Sequence, residues 1–337
     1  MSSARTAAVV GAGSWGTALA LHLARGGYEV PLWVHDAAHL REMADTGENS
    51  TYLPGFMLPA SIRPSADLRQ VIHGKDLVIW VVPARFCREL FRKAAPNFGE
   101  SARLVIATKG IEPETGLRMS QVALECLPHR PLALAALAGP GFAREVSRGD
   151  PTAGVLGCED PAQGEILQES LSLDSYRFYT NRDLIGVELG SALKNVIAIA
   201  AGVVEGLGLG SNTTAALITR GLTEITRLGV ACGGSPSTFA GLAGMGDLVL
   251  TCTGSLSRNR SVGAQLGRGK RLDEILAGMK MVAEGIPTTS AALHLARLHA
   301  VEMPITLAVD ALLAGRASAS EALASLMRRP LKGEESW

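Results

Sequence analysis

The sequence predicts an α/β domain built on a parallel sheet, followed by an all-helical domain, with the change falling near residues 181–183. Before that point, continuous apolar runs such as Asp76–Val82 (DLVIWVV) alternate with helix-like segments, as strands covered on both faces require. After it, helical segments rich in small apolar residues are joined at Gly206–Gly210, Gly233-Gly234 and Gly241–Gly246. The 337 residues, 47% of them hydrophobic, suffice for two cores. The domains are therefore placed at 1–181 and 182–337, separated by a change of periodicity rather than a flexible linker. No internal repeat or low-complexity tract interrupts them.

Thr6–Val10 reads as the first strand, Trp15–Arg25 as a helix, and Gly26-Gly27 as its stop. Tyr28–Val34 is the second strand, with Pro31 tolerable only near its start or at an edge. Asp76–Val82, Arg103–Ala107, Pro131–Leu137 and Thr152–Leu156 follow as strands, and Tyr176–Thr180 is the last. From Asp183 onward the pattern is helical, and Lys332–Trp337 reads as a frayed tail.

Charge and composition exclude several functions. Lys and Arg total 32 and so do Asp and Glu, with no basic run, so nucleic acid is not an expected partner. An anionic ligand must be held by a few local cations instead. The N-terminus MSSARTAAVVGAGSW lacks an export signal. No uninterrupted apolar run reaches the ~18 residues of a membrane span; Leu184–Val204 comes nearest, broken by Glu188, Lys194 and Asn195. Cys87, Cys126, Cys158, Cys232 and Cys252 form no CxxC and read as small hydrophobes in a reducing compartment. A cytoplasmic protein is expected. The seven histidines form no HxxxH or HxxH pair, so no metal site is expected, and no GxSxG supports acyl chemistry.

Gly11-Ala12-Gly13-Ser14-Trp15-Gly16 fits GxGxxG, directly after a strand and directly before a helix. In such a turn Gly11 permits the tight bend, Gly13 lets backbone approach a pyrophosphate, and Gly16 lets helix pack on strand. The helix N-terminus offers N–H groups and partial positive charge to phosphates. Asp36 lies 20 residues beyond Gly16, where a carboxylate that reads a ribose 2′-OH belongs. A dinucleotide is thus the expected cofactor. Asp36 favours NAD and a neighbouring cation favours NADP; the pair His35-Asp36 offers both, so the choice stays open.

Lys194 sits in the most apolar stretch of the chain, LIGVELGSALKNVIAIAAGVV, whose only other charge is Glu188. At helical spacing Gly190, Ser191, Ile197 and Ala198 surround it, and three of these four are small. A buried lysine without partners is costly or loses its proton. By itself the segment better suits a snorkelling lysine at a helix rim, and other motifs must decide.

Seven blocks do so: GAGSWGTALA (11–20), NSTYLPGFMLP (49–59), ATKGIE (107–112), AGPGFAREV (138–146), ELGSALKN (188–195), AGLAGMGDLVLTCTGSLSRNRSVG (240–263) and VAEGIPT (282–288). In this order they resemble the NAD(P)-dependent glycerol-3-phosphate dehydrogenases of the bacterial single-chain type, over nearly the whole chain. The resemblance implies reversible reduction of dihydroxyacetone phosphate to sn-glycerol 3-phosphate for phospholipid backbones. It also implies a Rossmann domain followed by an all-helical domain, often in a homodimer. By position it makes Lys194 the catalytic lysine, proton donor in reduction and acceptor in oxidation, with Lys109 the second active-site lysine and Asp247 the carboxylate near the reacting centre. Ser257, Arg258 and Asn259 match the substrate-binding run, and Gly139 and Gly141 match substrate contacts. Ser14, Trp15, His35, Lys109, Ala143, Arg258, Val282 and Glu284 match the cofactor side. Two positions depart from the pattern: Gly141 stands where the family usually has serine, and His35 where many members carry arginine.

The residues suit that chemistry. Hydride addition to a ketone builds negative charge on oxygen, which a lysine of lowered pKa can neutralise by proton transfer. Lys109 can lower that pKa and polarise the carbonyl, while Asp247 orients Lys194. Asp247 also reads as a helix N-cap between Gly246 and Leu248, and Lys109 alone reads as a surface lysine after a strand. Ser257 reads as the N-cap of a helix that puts Arg258 where N–H groups already favour an anion; Arg258 and Arg260 otherwise read as a solvated helix start. Thr251 and Thr253 can bond substrate hydroxyls or serve the turn, and Asn195, adjacent to Lys194, is expected to serve the same substrate site, although its side chain leaves the helix about 100° away. Two alternatives are a reductase of another small keto or 3-hydroxy acid and a non-catalytic NAD sensor. Arg258 argues against the first; Lys109, Lys194 and Asp247 argue against the second, since a sensor needs no proton chemistry.

Overall fold

A computed structural model describes residues 5–129, 131–279, 281–331 and 333–334. Of the tail expected over Lys332–Trp337, only Gly333 and Glu334 fall among them. Packing divides the chain into two compact units, Met1–Thr108 with Met119–Leu184, and Lys109–Arg118 with Ile185–Trp337. The segment Lys109–Arg118 therefore packs with the helical unit although it lies within 1–181 in sequence.

The first unit is built on an eight-stranded sheet: β1 (Ala8–Val10), β2 (Val30–Trp33), β3 (Ile62–Ser65), β4 (Leu77–Trp80), β5 (Arg103–Ile106), β6 (Ala133–Ala138), β7 (Thr152–Cys158) and β8 (Tyr176–Asn181). They lie in the order β3-β2-β1-β4-β5-β6-β7-β8. Helices α1 (Ser14–Arg25), α2 (Ala37–Thr46), α3 (Leu68–Ile72), α4 (Ala84–Ala94), α5 (Met119–Cys126), α6 (Ala143–Arg148) and α7 (Pro161–Leu171) connect them. Val9, Val30, Leu32, Ile79, Val105 and Ala135 are almost fully buried within one core, as expected for strands of a covered parallel sheet.

Two features differ from the expected uniform parallel sheet. The strand β3, IRPS, was not legible: only Ile62 is buried, and Pro64 can stand there because β3 is an edge. The sheet also reverses once, since β7 runs antiparallel to β6, with Ala138 opposite Val155. Between them lies only the six-residue α6, so the chain returns beside β6 without a full crossover. Pro31 stands second in β2, the tolerated place near a strand start.

The second unit contains α8 (Leu184–Gly206), α9 (Ser211–Ala231), α10 (Pro236–Ala240), a π-helical turn Leu242–Gly246, α11 (Asp247–Thr253), α12 (Arg258–Gly267), α13 (Leu272–Ala277), α14 (Gly285–Leu298), α15 (Pro304–Leu313) and α16 (Ala319–Met327). Among the described residues α8 is the one helix long and apolar enough to cross a membrane, and its apolar window is wholly buried by protein. It is a core helix. Glycines let α12 touch it backbone to backbone: a Cβ on Gly202 would lie 2.0 Å from the Arg260 carbonyl oxygen, and one on Gly263 would lie 1.9 Å from that of Ile199. Gly206 and Gly267 continue the same seam.

The segment Lys109–Arg118 is a small hairpin, closed by a bridge between Ile111 and Arg118. Arg118 Nη1 meets Glu188 Oε2 at 2.5 Å, and Asn195 Nδ2 donates to the Lys109 carbonyl at 3.2 Å. Both ends of the hairpin are thus fixed to α8, with Ile111 buried in the helical core.

Candidate active site

In the first unit the glycine turn runs from β1 into α1. Gly11 has φ +118°, and a Cβ there would lie 2.4 Å from the Val81 carbonyl oxygen. A Cβ on Gly16 would lie 1.8 Å from the Gly11 carbonyl oxygen, so helix and turn meet only because it is glycine. A Cβ on Gly13 would meet nothing within 4 Å, which leaves that backbone open to a ligand. Gly13 is also the N-cap of α1 and supplies no side chain to its first N–H groups. The turn fits a pyrophosphate on these grounds: close packing behind, open backbone N–H groups in front.

Ser14 opens α1, and half-buried Trp15 packs on the core. A Cβ on Gly141 would lie 3.1 Å from the Trp15 ring and 3.5 Å from the Tyr176 hydroxyl, so a serine there would crowd Trp15. Gly139 has φ +107° and abuts Gly154, and Ala143 begins α6. Asp36 is exposed and is the N-cap of α2, accepting from His39 N at 2.7 Å, a bond that holds its carboxyl below the ordinary range. His35, also exposed, lies against the Trp33 ring at 5.6 Å between centroids.

The second unit brings Lys109, Lys194 and Asp247 together. Lys109 Nζ donates to Asp247 Oδ2 at 2.7 Å, and Lys194 Nζ pairs with Asp247 Oδ1. Lys194 Nζ also donates to Thr251 Oγ1 at 2.7 Å, whose hydroxyl donates to the Asp247 carbonyl at 2.6 Å. Lys194 is 5% exposed and Asp247 1%, so the snorkelling reading does not hold. Burial lowers the Lys194 pKa from 10.5 to about 8, helped by the Lys109 cation and opposed by Asp247. Burial pushes the Asp247 carboxyl up, but the two lysines outweigh it and hold the group ionised below its ordinary pKa.

Local structure explains how Asp247 arrives there. The small residues expected beside Lys194 leave room that backbone fills: a Cβ on Gly190 would lie 2.9 Å from the Ala243 carbonyl oxygen. Ala243 belongs to the π-helical turn, which runs directly into α11. Asp247 is the first residue of α11 and not its N-cap, which is Gly246. Its carboxylate faces the lysines, not backbone N–H groups.

Ser257 is the N-cap of α12, accepting from Arg260 N at 3.2 Å, and Arg258 is the first helical residue. Desolvation by the surrounding protein lowers the Arg258 pKa from its ordinary value, and the Glu284 carboxylate at the N-cap of α14 opposes that shift. Arg260 is committed elsewhere, to Glu205 at 3.0 Å and to the Gly254 carbonyl. Thr253 bonds the Val249 carbonyl of its own helix. Val282 is half-buried just ahead of Glu284. Asn195 and Asn259 are engaged within the protein: Asn259 Nδ2 donates to Asn195 Oδ1 at 2.9 Å, and Gly285 N donates to Asn259 Oδ1 at 2.9 Å. Sequence reasoning missed Arg118, whose only signal was that Glu188 needed a partner. It also gave no role to Asn49, although that residue opens the block at 49–59.

The sequence matches the description of the NAD-dependent glycerol-3-phosphate dehydrogenase N-terminus over residues 6–163 and of its C-terminus over residues 183–324. It is 52% identical over 328 residues to a glycerol-3-phosphate dehydrogenase, NAD(P)+, of Citrifermentans bemidjiense, covering 97% of this chain and 98% of that one. A relative of the same name from Koribacter versatilis is 49% identical over 326 residues, covering 96% and 97%. The crystal structure of a glycerol-3-phosphate dehydrogenase from Coxiella burnetii superposes with a TM-score of 0.93 at 39% identity, covering 97% of this chain and 99% of that one. The blocks from Gly11 to Thr288 are therefore one family's pattern, and the chain belongs to the NAD-dependent glycerol-3-phosphate dehydrogenase family.

Proposed function

We propose that the chain reversibly reduces dihydroxyacetone phosphate to sn-glycerol 3-phosphate, with Lys194 as proton donor and acceptor, and that its product supplies glycerophospholipid synthesis. The observation that carries the reading is the Lys109–Asp247–Lys194 cluster, in which Lys194 and Asp247 are buried and Lys109 partly so. With both lysines protonated it holds one net positive charge in a water-poor site, as a developing alkoxide requires. A reduced nicotinamide dinucleotide, NADH or NADPH, supplies the hydride when bound, and the turn Gly11–Gly16 is the part of this chain suited to its pyrophosphate.

Lys194 gives its proton to the carbonyl oxygen as the carbon becomes tetrahedral, and in the reverse direction neutral Lys194 takes the hydroxyl proton. A pKa of about 8 lets one group do both near neutral pH. Asp247 and Thr251 hold the ammonium in place. Lys109, on the other carboxylate oxygen, keeps the site positive and polarises the carbonyl. Arg258, at the start of α12, grips the substrate phosphate together with the helix N-terminus. Asn195 and Asn259 fix the helices that carry these groups.

The decisive experiment follows NADH and NADPH oxidation with dihydroxyacetone phosphate beside a panel of small keto acids. Turnover with the phosphorylated ketone alone is expected, and its absence with both coenzymes in folded protein overturns the reading. The same reading makes the protein a cytoplasmic homodimer. Cys87, Cys126, Cys158, Cys232 and Cys252 are all free thiols among the described residues, which suits a reducing compartment. Sedimentation of the purified chain as a monomer across micromolar concentrations would remove the dimer, and localisation of a tagged chain outside the cytoplasm would remove the other half.

A further inference from the structure

We infer that Asn49 is the positioning residue of the coenzyme turn: one fully buried amide locks the phosphate-binding loop to the ribose corner of the fold. The inference rests on the dinucleotide reading above. Asn49 has no exposed surface. Its Nδ2 donates to the Ala12 carbonyl at 2.9 Å and to Thr17 Oγ1 at 2.7 Å. Its Oδ1 accepts from Tyr52 N at 3.1 Å and from His39 Nε2 at 2.8 Å. A primary amide has two donor hydrogens and two acceptor lone pairs, so all four positions are used. The orientation is also fixed: a carbonyl can only accept and a backbone N–H can only donate, so nitrogen must face Ala12 and oxygen must face Tyr52.

The four partners show what is being joined. Ala12 lies inside the Gly11–Gly16 turn, and Thr17 belongs to the first turn of α1, its own N–H donating to the Gly13 carbonyl at 2.9 Å. His39 lies in the first turn of α2, and its backbone N–H is the group that Asp36 caps. Tyr52 belongs to the turn that Asn49 itself begins. The turn that faces a pyrophosphate and the helix start that faces a ribose are therefore held in register through a single side chain. Gly13 has no side chain of its own, and a Cβ there would meet nothing within 4 Å. Without Asn49 the turn samples other arrangements, and the coenzyme must reorder it on binding, which weakens apparent affinity by the fraction of competent protein.

The test measures NADH affinity directly, by the fluorescence of bound coenzyme, beside steady-state kinetics and thermal midpoints. Asn49→Asp turns an oxygen on the Ala12 carbonyl, and Asn49→Leu removes all four bonds at similar size. Each is expected to raise the NADH Kd by about tenfold to a hundredfold, as loss of buried partners does. In contrast, kcat at saturating NADH and the KM for the ketone should stay within about threefold of wild type, since no reacting atom is touched. Two milder variants keep the test informative if those two fail to fold. Thr17→Val strands one amide hydrogen and should weaken NADH more than His39→Phe, which leaves Oδ1 its bond from Tyr52. His39→Gln, with a side-chain N–H to offer, should restore affinity relative to His39→Phe. Unchanged Kd in folded variants, with or without a lowered thermal midpoint, overturns the inference, as does a loss confined to kcat. If wild type itself binds no dinucleotide, the failure belongs to the dinucleotide reading instead.

Discussion

The ammonium groups of Lys109 and Lys194 are held by the two oxygens of one carboxylate, Asp247, which is itself 1% exposed. Two cations, Lys194 buried and Lys109 partly buried, on one buried anion leave an excess of positive charge that water screens poorly. Burial depresses the Lys194 pKa, with the Lys109 cation adding to the shift and Asp247 opposing it, and the excess charge suits the alkoxide of the proposed reaction.

The first prediction concerns pH. With Lys194 as the proposed proton donor, ketone reduction needs its protonated form, so kcat/KM for reduction should fall as pH rises through about 8. Oxidation needs the neutral amine and should rise through the same value. Profiles of the two directions that move together would remove Lys194 from the proton path.

Lys194→Met tests the same residue without pH. It should lower kcat by roughly 10²–10⁴-fold, the range for loss of a general acid, while NADH still binds at the Gly11–Gly16 turn. A variant with near wild-type kcat and intact coenzyme binding would leave the lysine a structural role only.

The buried lysine also predicts a stability profile. Its folded pKa lies below its unfolded value of 10.5, so between about 8 and 10.5 the unfolded chain holds more protons than the folded one. Stability carried by this group should therefore rise with pH across that window. Urea unfolding of wild type and Lys194→Met at pH 8 and pH 10 checks it, the slope being present in the first and absent in the second.

Coenzyme choice can be separated from helix capping at Asp36. Asp36→Asn keeps an N-cap acceptor for His39 N but loses the charge, whereas Asp36→Ala loses both. If the carboxylate reads the ribose, both should weaken NADH relative to NADPH, and only the alanine variant should lower the thermal midpoint. An unchanged coenzyme ratio in both assigns the preference to another residue.

Arg258→Ala should damage reaction of dihydroxyacetone phosphate far more than that of unphosphorylated dihydroxyacetone. The difference should be roughly 30- to 1,000-fold in kcat/KM, the scale of a charge-assisted bidentate contact. Lysine should rescue it only in part, having the charge without the fork. Equal losses on both ketones would assign Arg258 to the coenzyme or the fold, and the NADH Kd of each variant tells these apart.

Much of this was legible because chemistry leaves local marks. Lys194 stood out as a charge in an apolar helix, the glycine turn was framed by its strand and helix, and Ser257 announced α12. The features that were missed depend on partners remote in sequence. Nothing near Arg118 says that it will meet Glu188, or that the hairpin between Lys109 and Arg118 will leave the unit it follows in sequence. The strand β3 shows one buried residue and so no alternation to detect. Asn49 looks like any loop asparagine until Ala12, Thr17, His39 and Tyr52 surround it. Asp247 looked like a cap because its glycine neighbours resemble a helix start, and the π-helical turn that carries the chain straight through them has no simple sequence signature.

The glycine seam between α8 and α12 has a final consequence. Lys194 is carried by the first of these helices and Arg258 begins the second, so the separation between the proposed proton donor and the proposed phosphate grip is set where backbone meets backbone. Side chains can repack by fractions of an ångström, but a main chain already in contact has no closer position to take, and any Cβ forces it apart. If Lys194 gives the proton and Arg258 holds the phosphate, the seam gauges substrate length. A three-carbon phosphate ester fits a fixed span, and a variant that accepts a longer one should need insertion or rebuilding in this pair of helices, because no single glycine replacement lengthens the gap by a small, graded step.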